Sequence, residues 1–179
     1  MRPRWWRMPR DPGSAVSLYI CRVFHPTGIN KMPRPLTVSD IPAWLALARE
    51  VEPLFGPMAD VEEFRIGIRD CVDARSAFGV EDESGGLAGI VALNRGGNEI
   101  AWLAVARAHR GKRFGERLVD RAIEELEPGG DICVQTFAAG CVEGEGARRI
   151  YGKKGFVDAR AAGRNPAGFD TVIMVRAKP

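Results

Sequence analysis

The chain has 179 residues, of which 45% are hydrophobic and 27% charged, so it is long and apolar enough for one globular domain with its own core. Its formal net charge of +3 is unevenly distributed, because residues 1–35 carry seven Lys/Arg and one Asp, whereas residues 36–179 carry 19 basic and 22 acidic residues. The mildly acidic main part argues against a nucleic-acid-binding surface, and no apolar run in the sequence has the length of a membrane span.

The cysteines and histidines give no pattern that is typical of a metal site. Four cysteines are present, Cys21, Cys71, Cys133 and Cys141, without a CxxC pair, and the chain has two histidines. We therefore expect no bound metal and a reduced, cytoplasmic setting, in which the apolar neighbourhoods of Cys71 and Cys133 predict buried thiols.

Residues 1–32 form a basic, Pro/Arg-rich stretch without sustained periodicity. We expect a poorly ordered extension here, followed by one domain over residues 33–179. Two interpretations of the extension stay open. In the first, the extension is an arm that contacts nucleic acid or anionic lipid. In the second, it is sequence upstream of the true translation start, which is Met32. We favour the second, and hence no nucleic-acid or membrane partner.

The first half of the domain alternates between helical and strand patterns. Residues 33–38 predict a short strand, and Ser39 and Asp40 then offer side-chain oxygens for the start of a helix, with Pro42 in its first turn. Apolar spacing predicts a second helix over 61–72. Runs rich in apolar and β-branched residues, separated by glycine turns, predict strands at 77–81, 87–93 and 99–105.

The second half contains the clearest helix of the chain. Its apolar stripe comprises Phe114, Leu118, Val119, Ala122, Ile123 and Leu126. A strand is predicted at 131–137, so strands 99–105 and 131–137 are expected to be parallel neighbours joined through this helix. A helix at 145–154 and strands at 156–160 and 170–175 follow. The fold class is thus mixed α/β, a mostly antiparallel central sheet with one parallel pair and flanking helices.

The segment between strand 99–105 and the long helix is a short basic loop with two glycines, ARAHRGKRFG. A loop that opens into a helix presents unpaired backbone N–H groups and the positive end of the helix dipole, which together bind phosphate. The spacing is neither that of a P-loop nor that of a dinucleotide-binding GxGxxG turn. An ordinary turn rich in Arg and Gly is the alternative.

Two short motifs, RGKRFG at residues 110–115 and ARRIYGKKGF at residues 147–156, resemble those of the GNAT N-acetyltransferase family. The first resembles the family's acyl-CoA loop [QR]-x-x-G-x-[GA], and the second resembles its A-x-x-x-Y-x-x-x-G-F motif. The resemblance covers about residues 33–176. Two positions depart from it: Arg113 stands where the family usually has the first loop glycine, and Gly144 where many members have asparagine.

The resemblance implies the GNAT acyl-CoA N-acyltransferase fold, in which the parallel strands splay apart to admit acetyl-CoA as co-substrate. It implies that strand residues contact the pantetheine arm and that loop residues bind the pyrophosphate. The expected cofactor-binding residues are Leu103, Ala104, Val105, Arg110, Gly111, Lys112, Arg113, Phe114 and Gly115. Gly111 and Gly115 suit a close backbone approach, while the Arg113 Cβ is expected either to hinder that approach or to be offset by a guanidinium–phosphate contact.

The resemblance also implies two catalytic residues. Tyr151 matches the tyrosine that protonates the departing thiolate, and in solution a phenol and a thiol have comparable acidities. Glu99 matches the glutamate that serves as general base in the family's histone acetyltransferases. Regular alternation, before any bulge is considered, places Glu99 on the face of Leu103 and Val105. The alternatives are a packing tyrosine and a solvated carboxylate at a strand end, and His109 is expected to be a surface residue rather than the base.

The expected function is therefore direct transfer of an acetyl group from acetyl-CoA to a primary amine of a small molecule or peptide, in a ternary complex. The alternative is a non-catalytic acyl-CoA-binding regulatory module of the same fold. The sequence leaves the acceptor amine open, because a fold does not fix a substrate. It leaves the oligomeric state open as well, with a homodimer as one arrangement.

Overall fold

The computed structural model describes residues 32–178, so the predicted extension at 1–31 lies outside the described residues. Seven strands are present in this range: β1 (Arg34–Pro35), β2 (Ala77–Glu81), β3 (Leu87–Asn94), β4 (Glu99–Val105), β5 (Ile132–Phe137), β6 (Val157–Arg164) and β7 (Asp170–Arg176). The α-helices are α1 (Ile41–Phe55), α2 (Glu62–Asp73), α3 (Phe114–Glu125) and α4 (Glu145–Lys153).

The strands form one sheet in the order β1-β2-β3-β4-β5-β7-β6. Every neighbouring pair is antiparallel except β4 and β5, which are parallel and joined through α3. A parallel pair requires a crossover connection, and the long amphipathic helix supplies it. The predicted mixed α/β class, mostly antiparallel with one parallel pair, is confirmed.

Helices cover the two faces of the sheet and create two core layers. On one face, α3 and Tyr151 of α4 pack with Phe78, Val91 and Ile100 of the sheet. On the other face, α1 and α2 pack against Ile90 and Trp102. The apolar stripe of α3 explains its position, because Leu118 is fully buried, and burial of a leucine side chain contributes about 1.5–3 kcal/mol.

Two predicted strands have different lengths in the structure. The first strand has two residues rather than six, because Asp40 accepts a hydrogen bond from the Thr37 backbone N–H at 2.8 Å and from Arg34, which turns the chain toward α1. At the other end of the chain, β6 continues to Arg164 rather than Arg160. The extra residues pair with β7 across two register shifts that sequence periodicity does not indicate.

Candidate active site

The parallel strands β4 and β5 are paired at one end only. Their register comprises the pairs Glu99–Cys133 and Ile100–Val134. Asn98 fixes this end: its carbonyl accepts the Cys133 N–H at 3.0 Å, and its side chain bonds the Glu127 N–H and the Asp131 carbonyl. Beyond Ile100 the strands diverge, which opens a gap between them toward Val105.

A β-bulge at Ala101 changes the face on which Glu99 lies. Ala92 pairs with Trp102 and Leu93 with Ile100, so Ala101 is the extra residue in β4. Ile100 and Leu103 therefore pack in the same core layer, with α3, although regular alternation would separate them. Glu99, next to Ile100, projects to the opposite face. The regular alternation that would place Glu99 on the face of Leu103 and Val105 therefore stops at the bulge, which inserts one residue between them.

Backbone groups of β4 face the gap where β5 has moved away. The Ala106 N–H donates to the Ala88 carbonyl of β3 at 2.9 Å. By alternation, the Ala104 amide also faces β3, whereas the amides of Leu103 and Val105 face the gap. The Val105 carbonyl accepts a hydrogen bond from Arg110 Nε at 3.2 Å, consistent with this direction. An extended ligand in the gap would meet Leu103 and Val105.

The loop before α3 presents a row of free amides. Among the residues the structure describes, the amides from Gly111 to Glu116 have no hydrogen-bond acceptor, whereas His109 and Arg110 close a short turn back to Ala106 and Arg107. These amides stand at the start of a 12-residue helix, where the dipole favours an anion.

Arg113 has a left-handed backbone conformation, with φ at 65°, which is sterically more favourable for glycine than for a residue with a Cβ. Its side chain is 77% exposed, and its Nε lies 3.2 Å from Glu116 Oε2. This contact holds the pKa of Glu116 below its usual range. The guanidinium therefore lies outward beside the first turn of α3, and the backbone has the conformation that the family's glycine would allow.

Gly115, in the first turn of α3, and Gly144, directly before α4, allow close packing. A Cβ on Gly115 would lie 3.0 Å from Ile150 Cδ1, so the start of α3 rests against α4. A Cβ on Gly144 would lie 2.3 Å from the Phe137 Cβ. The space at Gly144 thus has no room for the asparagine that many family members carry there, which gives a packing reason for this departure.

The loop, the end of β4 and α4 enclose an outer cavity of about 410 Å³. The predicted cofactor residues that line it are Leu103, Ala104, Val105, Arg110, Gly111, Arg113, Phe114 and Gly115. Lys112 is exposed and does not line it. Arg149 and His109 line it without having been predicted, and Arg149 could have been noticed as a cation inside the A-x-x-x-Y motif.

An inner cavity of about 90 Å³ adjoins the outer one. Phe55, Leu103, Phe137 and Ala147 line both cavities, so the two spaces meet at the gap between β4 and β5. Glu99 and Tyr151 both line the inner cavity.

Glu99 and Tyr151 approach the inner cavity from different sides of the sheet. Tyr151 is 3% exposed and packs in the α3 layer against Phe156, with ring centroids 5.5 Å apart. Burial raises the pKa of Tyr151, so the phenol keeps its proton at physiological pH. Burial also raises the pKa of Glu99, and a hydrogen bond with the Asn94 side chain opposes that change. One cavity thus holds a proton donor and a carboxylate whose pKa lies nearer neutrality than usual.

His109 is separated from this pair. Its Nε2 lies 3.3 Å from Asp82 Oδ2, and its ring meets Phe114 edge-on at 5.8 Å. It lines the outer cavity and not the inner one. Within residues 32–178, no three His, Cys, Asp or Glu side chains are grouped to hold a metal ion. In the same range, no helix has the length and apolar character to span a membrane.

The comparisons with known proteins agree on one family. Residues 73–158 match the family model described as an acetyltransferase (GNAT) domain. The fold is similar to a GNAT-family acetyltransferase from Bacillus cereus ATCC 10987, with a TM-score of 0.65 at 13% identity, over 84% of this chain and 99% of that one. Residues 73–158 thus match a GNAT acetyltransferase domain, and the chain has the GNAT fold. A comparison with curated proteins found no match.

Two structural relatives have stated substrates. The ribosomal-protein-S18-alanine N-acetyltransferase from Escherichia coli has 18% identity and a TM-score of 0.63, over 83% of this chain and 94% of its own. Spermidine N-acetyltransferase from Vibrio cholerae, in complex with CoA and spermine, has 21% identity and a TM-score of 0.60, over 82% and 94%. At these identities the likeness concerns the fold.

Proposed function

We propose that this protein is an acetyl-CoA-dependent N-acetyltransferase, which transfers the acetyl group directly to a primary amine of a small molecule or peptide in a ternary complex. The observation that carries the proposal is the junction of two cavities at the β4–β5 gap, one beside free loop amides and one lined by Glu99 and Tyr151. Acceptor and donor would meet there without a covalent enzyme intermediate.

The outer cavity has the chemistry that a CoA molecule requires. The amides of residues 111–116 and the positive end of α3 would bind the diphosphate, with Arg110, Arg113 and Arg149 nearby as cations. The amides of Leu103 and Val105 would pair with the pantetheine arm. Lys112 lies outside the cavity, so it would attract the diphosphate electrostatically from a distance and would not contact it.

In the inner cavity, Glu99 would accept the proton of the ammonium group and so generate the free amine that attacks the thioester carbonyl. Tyr151 would hydrogen-bond to the CoA sulfur and supply a proton as the thiolate departs. Because burial raises the pKa of Tyr151, the phenol is a weaker acid than in solution, and complete proton transfer to the thiolate is less favourable. The main contribution of Tyr151 is therefore a hydrogen bond to the sulfur.

The alternative, a non-catalytic acyl-CoA-binding module, requires that Arg113 in the loop prevents acetyl-CoA from binding in a productive position. The exposed position of the Arg113 side chain and its contact with Glu116 give that alternative no support. Cytoplasmic acetyl-CoA would supply the donor, so we place the activity in the cytoplasm.

The test is thiol release from acetyl-CoA with a panel of primary amines. We expect turnover with at least one amine, a kcat about 10²–10⁴-fold lower for Glu99→Gln, and a loss of about 10-fold or more for Tyr151→Phe. CoA affinity, measured by calorimetry, should be unchanged in both variants, and Glu63→Gln on the exposed face of α2 is the matched control. CoA binding without turnover of any amine would favour the regulatory module.

A further inference from the structure

Within residues 32–178, the inner cavity is lined by a single charged side chain, a carboxylate, that could bind an acceptor. Its walls are largely aromatic and aliphatic, formed by Phe55, Met58, Trp102, Leu103 and Phe137. Among the residues that the structure describes, Glu99 is the only charged side chain that lines it. No cation is available there for a carboxylate, and no second carboxylate for a second ammonium group.

The neutral polar side chains around this cavity bond mainly to the protein. Asn165 donates from Nδ2 to the Leu54 carbonyl at 2.8 Å, and its Oδ1 accepts the N–H groups of Ala167 and Phe169. The Gln135 amide nitrogen donates to Thr171 Oγ1 at 3.0 Å, and that hydroxyl donates to a backbone carbonyl. These three side chains therefore hold the walls in place, whereas the Trp102 Nε1–H of the same cavity has no hydrogen-bond partner among the described residues and is left as a neutral donor for a ligand.

The connection after α1 and the turn between β6 and β7 meet beside the cavity. Gly56 has φ at 95°, and a Cβ there would lie 2.5 Å from the Pro166 Cβ. With the Asn165–Leu54 hydrogen bond, this contact fixes one segment against the other. A second charge on an acceptor would be desolvated between these walls without a partner, which is unfavourable by several kcal/mol for a buried unpaired ion.

On the basis of the proposed function, we infer that the acceptor is a small primary amine with a single positive charge and an apolar body. The ammonium group lies at Glu99, and the apolar body contacts Phe55, Met58 and Trp102. The pocket disfavours polyamines, which bring a second ammonium group, and α-amino acids, which bring a carboxylate beside Glu99. The acceptor class thus differs from that of the spermidine relative.

Matched pairs of amines test this inference in the thiol-release assay. Hexylamine and 1,6-diaminohexane differ by one ammonium group, and 2-phenylethylamine and L-phenylalanine differ by one carboxylate. A peptide amide beginning with alanine represents polypeptide acceptors. We expect kcat/KM at least about 10-fold higher for hexylamine than for the diamine, and for 2-phenylethylamine than for phenylalanine and the peptide.

A charge-addition variant gives a second measurement on the same pocket. Phe55→Glu places a carboxylate on the wall, so the preference for hexylamine over the diamine should shrink at least about fivefold. Ile66→Glu adds the same charge to the exposed side of α2, outside both cavities, and should leave the ratio unchanged. If Phe55→Glu does not fold, the ratios of the unaltered protein decide.

The outcomes separate this inference from the proposed function. Turnover that favours the diamine, the amino acid or the peptide would overturn the inference while leaving the acetyltransferase intact. Absence of thiol release with every amine would overturn the proposed function and the inference with it. Equal turnover of hexylamine and the diamine also contradicts the inference, because it would mean that a second ammonium group has no effect on binding in the pocket.

Discussion

At the scale of single residues, the surroundings of Glu99 set the pKa of its carboxyl group. The carboxylate is partly buried beside an apolar cavity, and this burial raises its pKa, because the charged form loses hydration. A general base benefits from a pKa closer to the working pH. The same burial makes the ionised side chain unfavourable for folding, so we expect catalysis and stability to oppose each other at this residue.

Glu99 is expected to give both activity and stability a specific pH dependence. Activity should fall about tenfold per pH unit below the raised pKa of Glu99, because the protonated carboxyl cannot accept a proton. Stability has the opposite sign. The folded state binds the proton more tightly than the unfolded chain, so the contribution of Glu99 to stability is lost as pH rises from its ordinary value through the raised pKa.

Glu99→Gln should therefore remove the acid limb of the pH–rate profile and raise Tm relative to the unaltered protein, increasingly from pH 4 to pH 8. Differential scanning fluorimetry and pH-dependent thiol release measure the two effects. A Tm difference that is constant with pH would show that Glu99 has its ordinary pKa in the folded protein.

At the scale of elements, the loop before α3 depends on left-handed backbone. Gly111 has φ at 77° with open space where a Cβ would stand, and Gly85 in the β2–β3 turn has φ at 89° with the same open space. Alanine at either position should reduce stability by about 1–2 kcal/mol through backbone strain alone.

Only Gly111→Ala is expected to weaken CoA binding, by at least about fivefold, since of the two glycines only Gly111 lines the outer cavity, in the loop whose amides we propose to bind the diphosphate. Chemical denaturation gives the stabilities, and calorimetry with CoA gives the affinities. Equal affinity in the two variants would mean that the loop amides do not bind the diphosphate.

The contact between the α1–α2 connection and the β6–β7 turn gives a second prediction at this scale. Gly56→Ala adds both positive-φ strain and a clash with Pro166, whereas Gly140→Ala, at φ 84°, adds strain in open space. Gly56→Ala should be less stable than Gly140→Ala by about 1–3 kcal/mol, the usual effect of overpacking.

Because Gly56 adjoins the inner cavity, its variant should also raise KM for the amine and leave CoA affinity unchanged. Steady-state kinetics at saturating acetyl-CoA measure this effect. A KM that does not change, despite the lower stability, would separate this contact from acceptor binding.

At the scale of the whole molecule, the seven-stranded sheet, the two core layers and the two cavities described above are all formed by residues 32–178. We therefore expect removal of residues 1–31 to leave Tm and thiol release unchanged. Thermal unfolding and the acetyl-transfer assay on the full and shortened chains test this expectation. If the shortened chain loses salt-sensitive binding to nucleic acid, the basic stretch has a function of its own; loss of turnover would mean that it contributes to the site.

Much of the fold was predictable because its determinants are local. The stripe of α3, the glycine turns around β3 and the loop ahead of Phe114 each lie within a short segment, and their bounds differ from the structure by one or two residues. The length of β6 was not predictable, since its exposed residues show no alternation and its extent depends on pairing with β7.

The sequence by itself determined the order of elements, the family resemblance and the identity of the residues around the site, because backbone propensity, turn chemistry and motif spacing are properties of neighbouring residues. Tertiary structure decided the face of Glu99, through the bulge at Ala101, and the near-exclusion of charge from the inner cavity. Both arise from contacts between strands and turns far apart in the chain, such as Asn165 with Leu54, and only packing brings those groups together.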